Sequence, residues 1–144
     1  MKIFVTGSSG FIGFHLSKKL LENGHSVHGL DSMHKYYEVK LKIDRLQILK
    51  KYEKFSFTKN KLENKKILTN ILLKLKPKAI IHLAAQAGVR YSIENPKAYM
   101  DSNITGTYNI IELAKKINIK HLLIASSSSV YGANKKLPFT EIDK

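Results

Sequence analysis

The chain has 144 residues, with 25 Lys and Arg against 11 Asp and Glu, and its formal net charge is +14. This length suits one domain with a substantial core. Because there is no cysteine, a disulfide framework and thiolate chemistry are excluded. No apolar run approaches the roughly 18 residues of a membrane span. A first strand that begins at Lys2 leaves no room for a signal peptide, so we expect a cytoplasmic protein with no membrane partner.

The positive charge raises the question of nucleic-acid binding. The excess is almost all lysine, since Arg45 and Arg90 are the only arginines. The lysines are spread over predicted helices and loops, without the interleaved aromatic residues of a platform for single strands. We interpret them as solvated faces and expect no specific nucleic-acid partner. Weak, salt-sensitive binding to polyanions stays open.

A glycine-rich segment near the amino terminus separates a predicted strand from a predicted helix. Residues 2–6 are the short, apolar, β-branched run of a buried parallel strand. Gly7, Gly10 and Gly13 follow, and apolar residues then recur at helical spacing as far as the Asn-Gly stop at 23–24. Such a turn lets the first amides and the dipole of the helix face phosphates. It therefore predicts a site for a dinucleotide pyrophosphate.

The second predicted strand covers residues 26–30 and is followed by Asp31, eighteen residues after Gly13. A dinucleotide-binding fold places an acid there to accept hydrogen bonds from the adenosine ribose hydroxyls. An acid at this position would also repel the extra phosphate of NADP, so we predict NAD. The alternative is that Asp31 only caps a helix or a turn, where Asp is common.

Strand and helix patterns alternate over the rest of the chain. Further strands are predicted over 55–58, 78–85 and 120–125, and helices over 32–52, over 62–75 and from Asn95-Pro96 onward. This alternation predicts an α/β fold with a parallel, doubly wound sheet of about five strands. The residues expected on the apolar stripe of the helix over 32–52 are Val39, Ile43, Leu46 and Leu49.

The helix after Pro96 has a polar residue on its apolar stripe. The residues of that stripe are Met100, Asn103, Thr107, Ile110, Ala114 and Ile117. A buried amide without partners is costly. Asn103 therefore either bonds the backbone near the fourth or fifth strand or touches the cofactor. In the fourth strand, His82 is expected to be a satisfied core residue; none of the six histidines has metal-ligand spacing, so we predict no metal site.

Several motifs together resemble the extended short-chain dehydrogenase/reductase family, and the resemblance extends over the whole chain. The motifs are Gly7-x-x-Gly10-x-x-Gly13, Asp31, His82-Leu83-Ala84-Ala85, Ser102-Asn103-x-x-Gly106-Thr107 and Ser126-Ser127-Ser128-Ser129-Val130-Tyr131-Gly132. More narrowly, the chain resembles the UDP-glucuronate 4-epimerase group of nucleotide-sugar epimerases. The motifs behind this are Tyr36-Tyr37-x-Val39-x-Leu41-Lys42-x-x-Arg45-Leu46 and Ala87-Gly88-Val89-Arg90-Tyr91-Ser92-Ile93-Glu94-Asn95-Pro96.

The resemblance implies a set of residue roles. Those implied around NAD are Gly7, Gly10, Phe11, Ile12 and Gly13 at the pyrophosphate, Asp31 at the adenosine ribose, and Leu83 and Ala84 beneath the nicotinamide side. Asn103 is a further candidate at the cofactor because of its place on the helix stripe. Ser127 matches the hydroxyl residue that hydrogen-bonds the sugar C4 oxygen, and Arg90 is a candidate for holding substrate phosphate or carboxylate. From the residues alone, Ser127 would be one serine among four that satisfy turn backbone.

The implied reaction is epimerisation at C4 of a UDP-hexuronic acid or UDP-hexose. The C4 hydroxyl is oxidised by NAD, the 4-keto intermediate rotates, and it is reduced on its other face. A Ser127 hydroxyl suits this chemistry because it can both accept and donate a hydrogen bond. The full-length form is expected to be a homodimer. The alternatives are a nucleotide-sugar dehydratase or decarboxylase, disfavoured because Ser129 stands where those relatives tend to have an acid, and a non-catalytic NAD-binding module.

The chain departs from the family pattern at two places. Lys61 stands where similar enzymes usually have an aspartate near the adenine. The family's catalytic Tyr-x-x-x-Lys helix, whose lysine lowers the tyrosine pKa, is expected some twenty residues beyond Ser127. The pairs Tyr36/Lys40 and Tyr131/Lys135 match the spacing without a suitable helix. We therefore expect residues 1–144 to be an incomplete NAD-binding Rossmann domain that lacks the catalytic base and the C-terminal substrate domain.

Overall fold

The structure is a computed structural model that describes residues 1–142. Its centre is a sheet of five strands: β1 (Lys2–Thr6), β2 (Ser26–Asp31), β3 (Phe55–Lys59), β4 (Ala79–His82) and β5 (His121–Ile124). The order across the sheet is β3-β2-β1-β4-β5, and all neighbouring strands pair in parallel. The predicted doubly wound parallel sheet, a Rossmann fold, is confirmed. Because the strand order reverses between β1 and β4, a crevice opens at their carboxyl ends, where ligands bind in such folds.

Helices connect the strands. Their bounds are α1 (Phe11–Glu22), α2 (Val39–Leu49), α3 (Lys65–Leu75), α4 (Val89–Glu94), α5 (Pro96–Tyr99) and α6 (Thr107–Lys116), with a π-helical segment at Met100–Gly106 and a 3-10 turn at Ser128–Tyr131. Local capping fits these bounds, because the Asn64 side chain accepts from the Ile67 N–H and the Asn95 side chain accepts from the Ala98 N–H. Within residues 1–142, no helix is long and apolar enough to cross a membrane.

The core has one layer on each face of the sheet. Successive residues of β1 point to opposite faces, so Phe4 packs with residues of α3 and α6, and Ile3 and Val5 pack with residues of α1 and α2. Ile3, Phe4 and Val5 are each at most 1% exposed. This central strand therefore fixes the position of the glycine turn that follows it.

The predicted apolar stripe of α2 is wrong at one position. Ile43 is 42% exposed, whereas Lys42 is buried together with Leu46 and Leu49. Residues 42, 46 and 49 share one helix face. Lys42 occupies this face because its ammonium group finds a carboxylate partner below the helix, as described in the next section.

The helical stretch after Pro96 also differs from the prediction. The π-helical segment widens the turns between α5 and α6, so the buried face is not one continuous stripe. Met100 is 53% exposed, while Ile110 and Ala114 are buried as predicted. Helix α4 was not predicted, because its six residues are all at least partly exposed and give no apolar periodicity.

Candidate functional site

A cleft of about 540 Å³ opens at the carboxyl ends of β1, β2 and β4. Its lining includes every residue predicted at the pyrophosphate, the ribose and the nicotinamide side except Asn103; these are Gly7, Gly10, Phe11, Ile12, Gly13, Asp31, Leu83 and Ala84. Phe11 and Ile12 are 66% and 67% exposed at its mouth. The structure thus brings most of the predicted cofactor residues to one place.

The glycine turn is held tightly between β2 and β4. The Gly7 N–H donates to the Leu30 carbonyl at 2.7 Å, and the Gly10 N–H donates to the Gly7 carbonyl at 3.0 Å. Gly7 has a φ of +73°, and a Cβ on it would lie 2.9 Å from the Ala84 nitrogen. A Cβ at Gly13 would collide with the Gly7 carbonyl. The glycines therefore let helix α1 begin directly against the turn, so that its first N–H groups face the cleft.

Asp31 closes the far side of the turn. Its carboxylate accepts the Ser9 N–H at 3.1 Å and the Met33 N–H at 2.8 Å, and the carboxylate oxygens are 3.7 Å from the Lys42 ammonium at the nearest. Asp31 is the last residue of β2 and is 5% exposed. Its carboxylate therefore ties the glycine turn to the loop after β2, and Asp31 also lines the cleft.

Lys42 is a site residue that the apolar pattern missed. It lines the cleft, donates to the His34 carbonyl at 3.2 Å and lies 4.6 Å from the centre of the Tyr37 ring. The sequence could have indicated that Lys42 is on the buried face of α2, because it is spaced four and seven residues from Leu46 and Leu49. Burial raises the pKa of the neighbouring Tyr37, with the Arg45 charge acting in the opposite direction. The Lys42 ammonium thus lies between the Asp31 carboxylate and the face of the Tyr37 ring.

A buried network shapes the other wall of the cleft. The Thr6 hydroxyl oxygen accepts the Leu83 N–H at 3.2 Å and the Ala84 N–H at 3.1 Å, and it lies 2.7 Å from His82 Nδ1. Because both of its lone pairs are used, its single proton donates to Nδ1. The Nε2–H of a neutral His82 then donates to Thr107 at 3.0 Å.

Burial lowers the pKa of His82 to about 4, which agrees with this neutral form. His82 is 3% exposed and both of its ring nitrogens are bonded. The prediction of a satisfied core histidine is confirmed. Among the described residues, no group of three or more His, Asp or Glu is placed to hold a metal ion.

Asn103 bonds the backbone beside the cleft. Its amide oxygen accepts the Gln86 N–H at 2.7 Å, and its amide nitrogen donates to the Gln86 carbonyl at 2.9 Å. Of the two roles considered for it, the structure displays the bond to the backbone after β4. Gln86 and Ser102 line the cleft but Asn103 does not, so direct contact with a cofactor stays a prediction.

Ser127 and Arg90 lie outside the lining of the cleft. Ser127 is exposed, in extended backbone just before the 3-10 turn, and its carbonyl accepts the Val130 N–H at 3.3 Å. Arg90 is exposed on α4. Their predicted substrate roles therefore stay predictions. Lys61 does line the cleft, beside β3, and its ammonium group is 3.6 Å from the Glu63 carboxylate.

Both internal Tyr-x-x-x-Lys pairs lack a helix that would align them. Tyr36 lies in the loop before α2, which begins at Val39. Tyr131 ends the 3-10 turn, and Gly132 follows with a φ of +58°. The Tyr131 ring stacks on Phe139 with centroids 4.5 Å apart. Neither tyrosine is therefore arranged beside its lysine as an acid–base pair.

Residues 4–144 match the family model described as GDP-mannose 4,6 dehydratase. The chain belongs to this family. It is 54% identical over 143 residues to Protein CapI of Staphylococcus aureus, covering 99% of this chain and 42% of that protein. It is 47% identical over 137 residues to a UDP-glucuronate 4-epimerase of Thermodesulfobacterium geofontis, covering 95% of this chain and 42% of that protein.

Solved structures agree with membership of the GDP-mannose 4,6 dehydratase family. The chain superimposes on the UDP-glucuronic acid 4-epimerase of Bacillus cereus, crystallised with UDP-glucuronic acid and NAD, with a TM-score of 0.88 and 35% identity. This match covers 98% of the chain and 44% of that enzyme. The chain thus spans less than half the length of the curated relatives and structures it matches.

Proposed function

We propose that this chain is the NAD-binding part of a nucleotide-sugar 4-epimerase that interconverts UDP-glucuronate and UDP-galacturonate through a 4-keto intermediate. The observation that carries the proposal is the hydrogen bond from the Ser9 N–H to Asp31, which joins the glycine turn to the acid that we propose for the ribose, in one cleft. The relatives support the sugar class, because those matched with 35% identity or more include enzymes named for this reaction.

The residues present fit a dinucleotide. The glycine turn leaves room at the start of α1, a helix of 12 residues, whose amides and dipole would bind the pyrophosphate. Asp31 has carboxylate lone pairs left to accept ribose hydroxyls, and Lys42 has a free donor beside it. Leu83 and Ala84 would line the nicotinamide side. Bound NAD would supply a hydride acceptor and, in the second half of the reaction, a hydride donor.

The substrate roles rest on resemblance. The Ser127 hydroxyl would hydrogen-bond the sugar C4 oxygen, and Arg90 would hold the substrate phosphate or carboxylate. The proton of the C4 hydroxyl needs an acceptor, and neither Tyr36/Lys40 nor Tyr131/Lys135 offers one in a helical Tyr-x-x-x-Lys arrangement. The activity is therefore proposed for this chain joined to the remaining part of such an enzyme, and we propose a homodimer for that form.

A titration of NAD and NADP tests the cofactor. We expect the chain to bind NAD more tightly than NADP, because a ribose 2′-phosphate would meet the Asp31 carboxylate. Asp31→Ala should lose about 1–3 kcal/mol of NAD affinity and much of the preference. Asp44→Ala on the exposed face of α2 is the matched control and should bind both cofactors as the wild type does. Equal affinity of the wild type for the two cofactors would contradict this role of Asp31.

A chimera tests the reaction. Residues 1–144 are fused to the part of the Thermodesulfobacterium geofontis enzyme that follows the matched region, and the product is incubated with NAD and UDP-glucuronate. We expect UDP-galacturonate, with a fall in kcat of about a hundredfold or more for Ser127→Ala because general acid–base assistance is lost. Ser126→Ala is the control. An inactive chimera that still binds NAD, or a 4-keto-6-deoxy sugar as the product, would contradict the proposed epimerase.

A further inference from the structure

A second groove lies at the amino-terminal ends of β4 and β5. The cofactor cleft lies at the opposite, carboxyl-terminal ends of the strands. The second groove is bounded by the ends of α3 and α6 and by the residues that lead into β4 and β5, and its volume is about 350 Å³. Four lysines form its rim: Lys76, Lys78, Lys116 and Lys120. Its floor is aliphatic and includes Leu73, which is 47% exposed, and Ile117. We refer to it as the lysine groove.

The lining of the lysine groove carries positive charge only. It includes four lysines and no Asp or Glu, and the nearest carboxylate along α6 is Glu112, one turn before Lys116. The ion pairs between described residues involve Lys18, Lys42, Lys61 and Lys97 instead. Four like charges around one groove repel each other, and an anionic occupant would relieve that repulsion.

Helix capping does not account for these lysines. Lysine near a helix carboxyl terminus can bond the last carbonyls. Here backbone groups do this, because the Asn118 N–H donates to the Lys115 carbonyl and the Ile119 N–H donates to the Ala114 carbonyl. The Lys76 N–H likewise donates to the Leu72 carbonyl. The rim ammonium groups are therefore available to a ligand.

We propose that the lysine groove is a docking site for an acidic segment of a partner protein that places one or two aliphatic side chains between its carboxylates. Charge complementarity selects the carboxylates, and the aliphatic floor selects the side chains. A nucleic acid fits less well, because the lining contains no aromatic residue for base stacking and no arginine. The site is independent of the proposed epimerase activity.

The test uses a fluorescent peptide with the sequence Glu-Glu-Leu-Leu-Glu-Glu and the 144-residue chain. Binding is followed by anisotropy at about 0.15 M salt, where the screening length is about 8 Å. We expect saturable binding that weakens about tenfold in Lys78→Glu/Lys120→Glu, because two attractive contacts become repulsive. The matched control, Lys50→Glu/Lys51→Glu, makes the same charge change at the exposed end of α2 and should stay within about twofold of wild type.

Four outcomes would overturn the proposal. The first is equal weakening in both charge-reversed variants, which would indicate non-specific attraction. The second is unchanged affinity for a Glu-Glu-Ser-Ser-Glu-Glu peptide, which would remove the role of the aliphatic floor. The third is full competition by an RNA oligonucleotide, which would indicate a general polyanion site. The fourth is loss of binding in the chimera, which would assign the groove to the interior of a longer protein. Unchanged NAD affinity in Lys78→Glu/Lys120→Glu verifies its fold.

Discussion

Two groups of buried polar residues lie around the cleft, a charged group that contains Asp31 and Lys42 and a neutral group that contains His82. On one side, the Asp31 carboxylate is stabilised by two backbone N–H groups and the Lys42 ammonium. On the other side, His82 is held neutral between two threonine hydroxyls. Protonation of His82 would remove the acceptor of the Thr6 proton, and Thr6 in turn positions the Leu83 and Ala84 amides.

His82 should make the stability of the chain depend on pH. Its pKa falls from 6.5 in the unfolded chain to about 4 in the folded chain, so the unfolded state binds more protons in this window. The contribution of His82 to the free energy of unfolding is therefore complete above pH 6.5. It is lost as the pH falls through 4, and the total loss is about 3 kcal/mol. Burial also lowers the pKa of His28, which acts in the same direction.

Urea unfolding across this pH range is the measurement. His82→Gln can accept from Thr6 and donate to Thr107 without titrating, so it should flatten the pH dependence even if it lowers stability near neutral pH. His121→Gln, at an exposed position, is the control and should leave the slope unchanged. A slope that His82→Gln does not alter would place the titration elsewhere.

At the scale of single elements, α2 offers a direct test of which face is buried. Ile43→Gln should change the free energy of unfolding by no more than about 0.5 kcal/mol, because Ile43 is already largely exposed. Leu46→Ala should cost about 2–4 kcal/mol, because Leu46 is only 9% exposed. Chemical denaturation measures both. A larger loss for Ile43→Gln than for Leu46→Ala would restore the stripe that apolar periodicity predicts.

The Asn103 side chain joins the π-helical segment to Gln86, which lines the cleft. Asn103→Ala would leave the Gln86 N–H and carbonyl without their partners and should cost about 1–3 kcal/mol. Asn103→Asp keeps the acceptor but loses the donor, so its loss should be intermediate. Asn70→Ala, at an exposed position of α3, is the control. If Asn103→Ala matched this control in both stability and NAD affinity, the bond to Gln86 would not organise the loop.

Sequence patterns predicted the elements whose burial is regular. The five strands begin and end within about three residues of the predicted limits. Among them, β1, β4 and β5 are short apolar runs, and β3 alternates apolar and polar residues. Asp31 was predictable because it follows the second predicted strand. Lys42 and the bond from Asn103 to Gln86 were not, since both depend on residues that meet only after folding. Helix α4 and the π-helical segment were not predicted from the sequence, because neither has a regular apolar period.

At the scale of the whole molecule, the sheet ends at β5 within the described residues. Leu123 and Ile124 on this strand are 49% and 42% exposed. An apolar edge strand with unpaired backbone groups favours pairing with another chain. The cofactor cleft, in contrast, is built by β1, β2 and β4, which are all internal to the sheet. The chain can therefore form much of the cleft while the edge of the sheet at β5 stays uncovered.

The last prediction is that residues 1–144 bind NAD feebly and catalyse no epimerisation on their own. Hydride transfer from C4 requires that the hydroxyl proton move to a base. Tyr131, which follows β5 directly, stacks on Phe139 and is separated from Lys135 by the turn at Gly132. Because Lys135 is not held beside it on a helix, Tyr131 has no aligned ammonium group to stabilise a phenolate and would serve poorly as a base.

The assay incubates the purified chain with NAD and UDP-glucuronate and measures UDP-galacturonate by chromatography. The chimera described above is the positive control, and it should form product under the same conditions because it carries the remaining part of an enzyme named UDP-glucuronate 4-epimerase. The chain alone should form none above the level without protein. Turnover by the chain alone that disappeared in Tyr131→Phe would show that Tyr131 does serve as the base, and the loop over 131–135 would then have to rearrange when substrate binds.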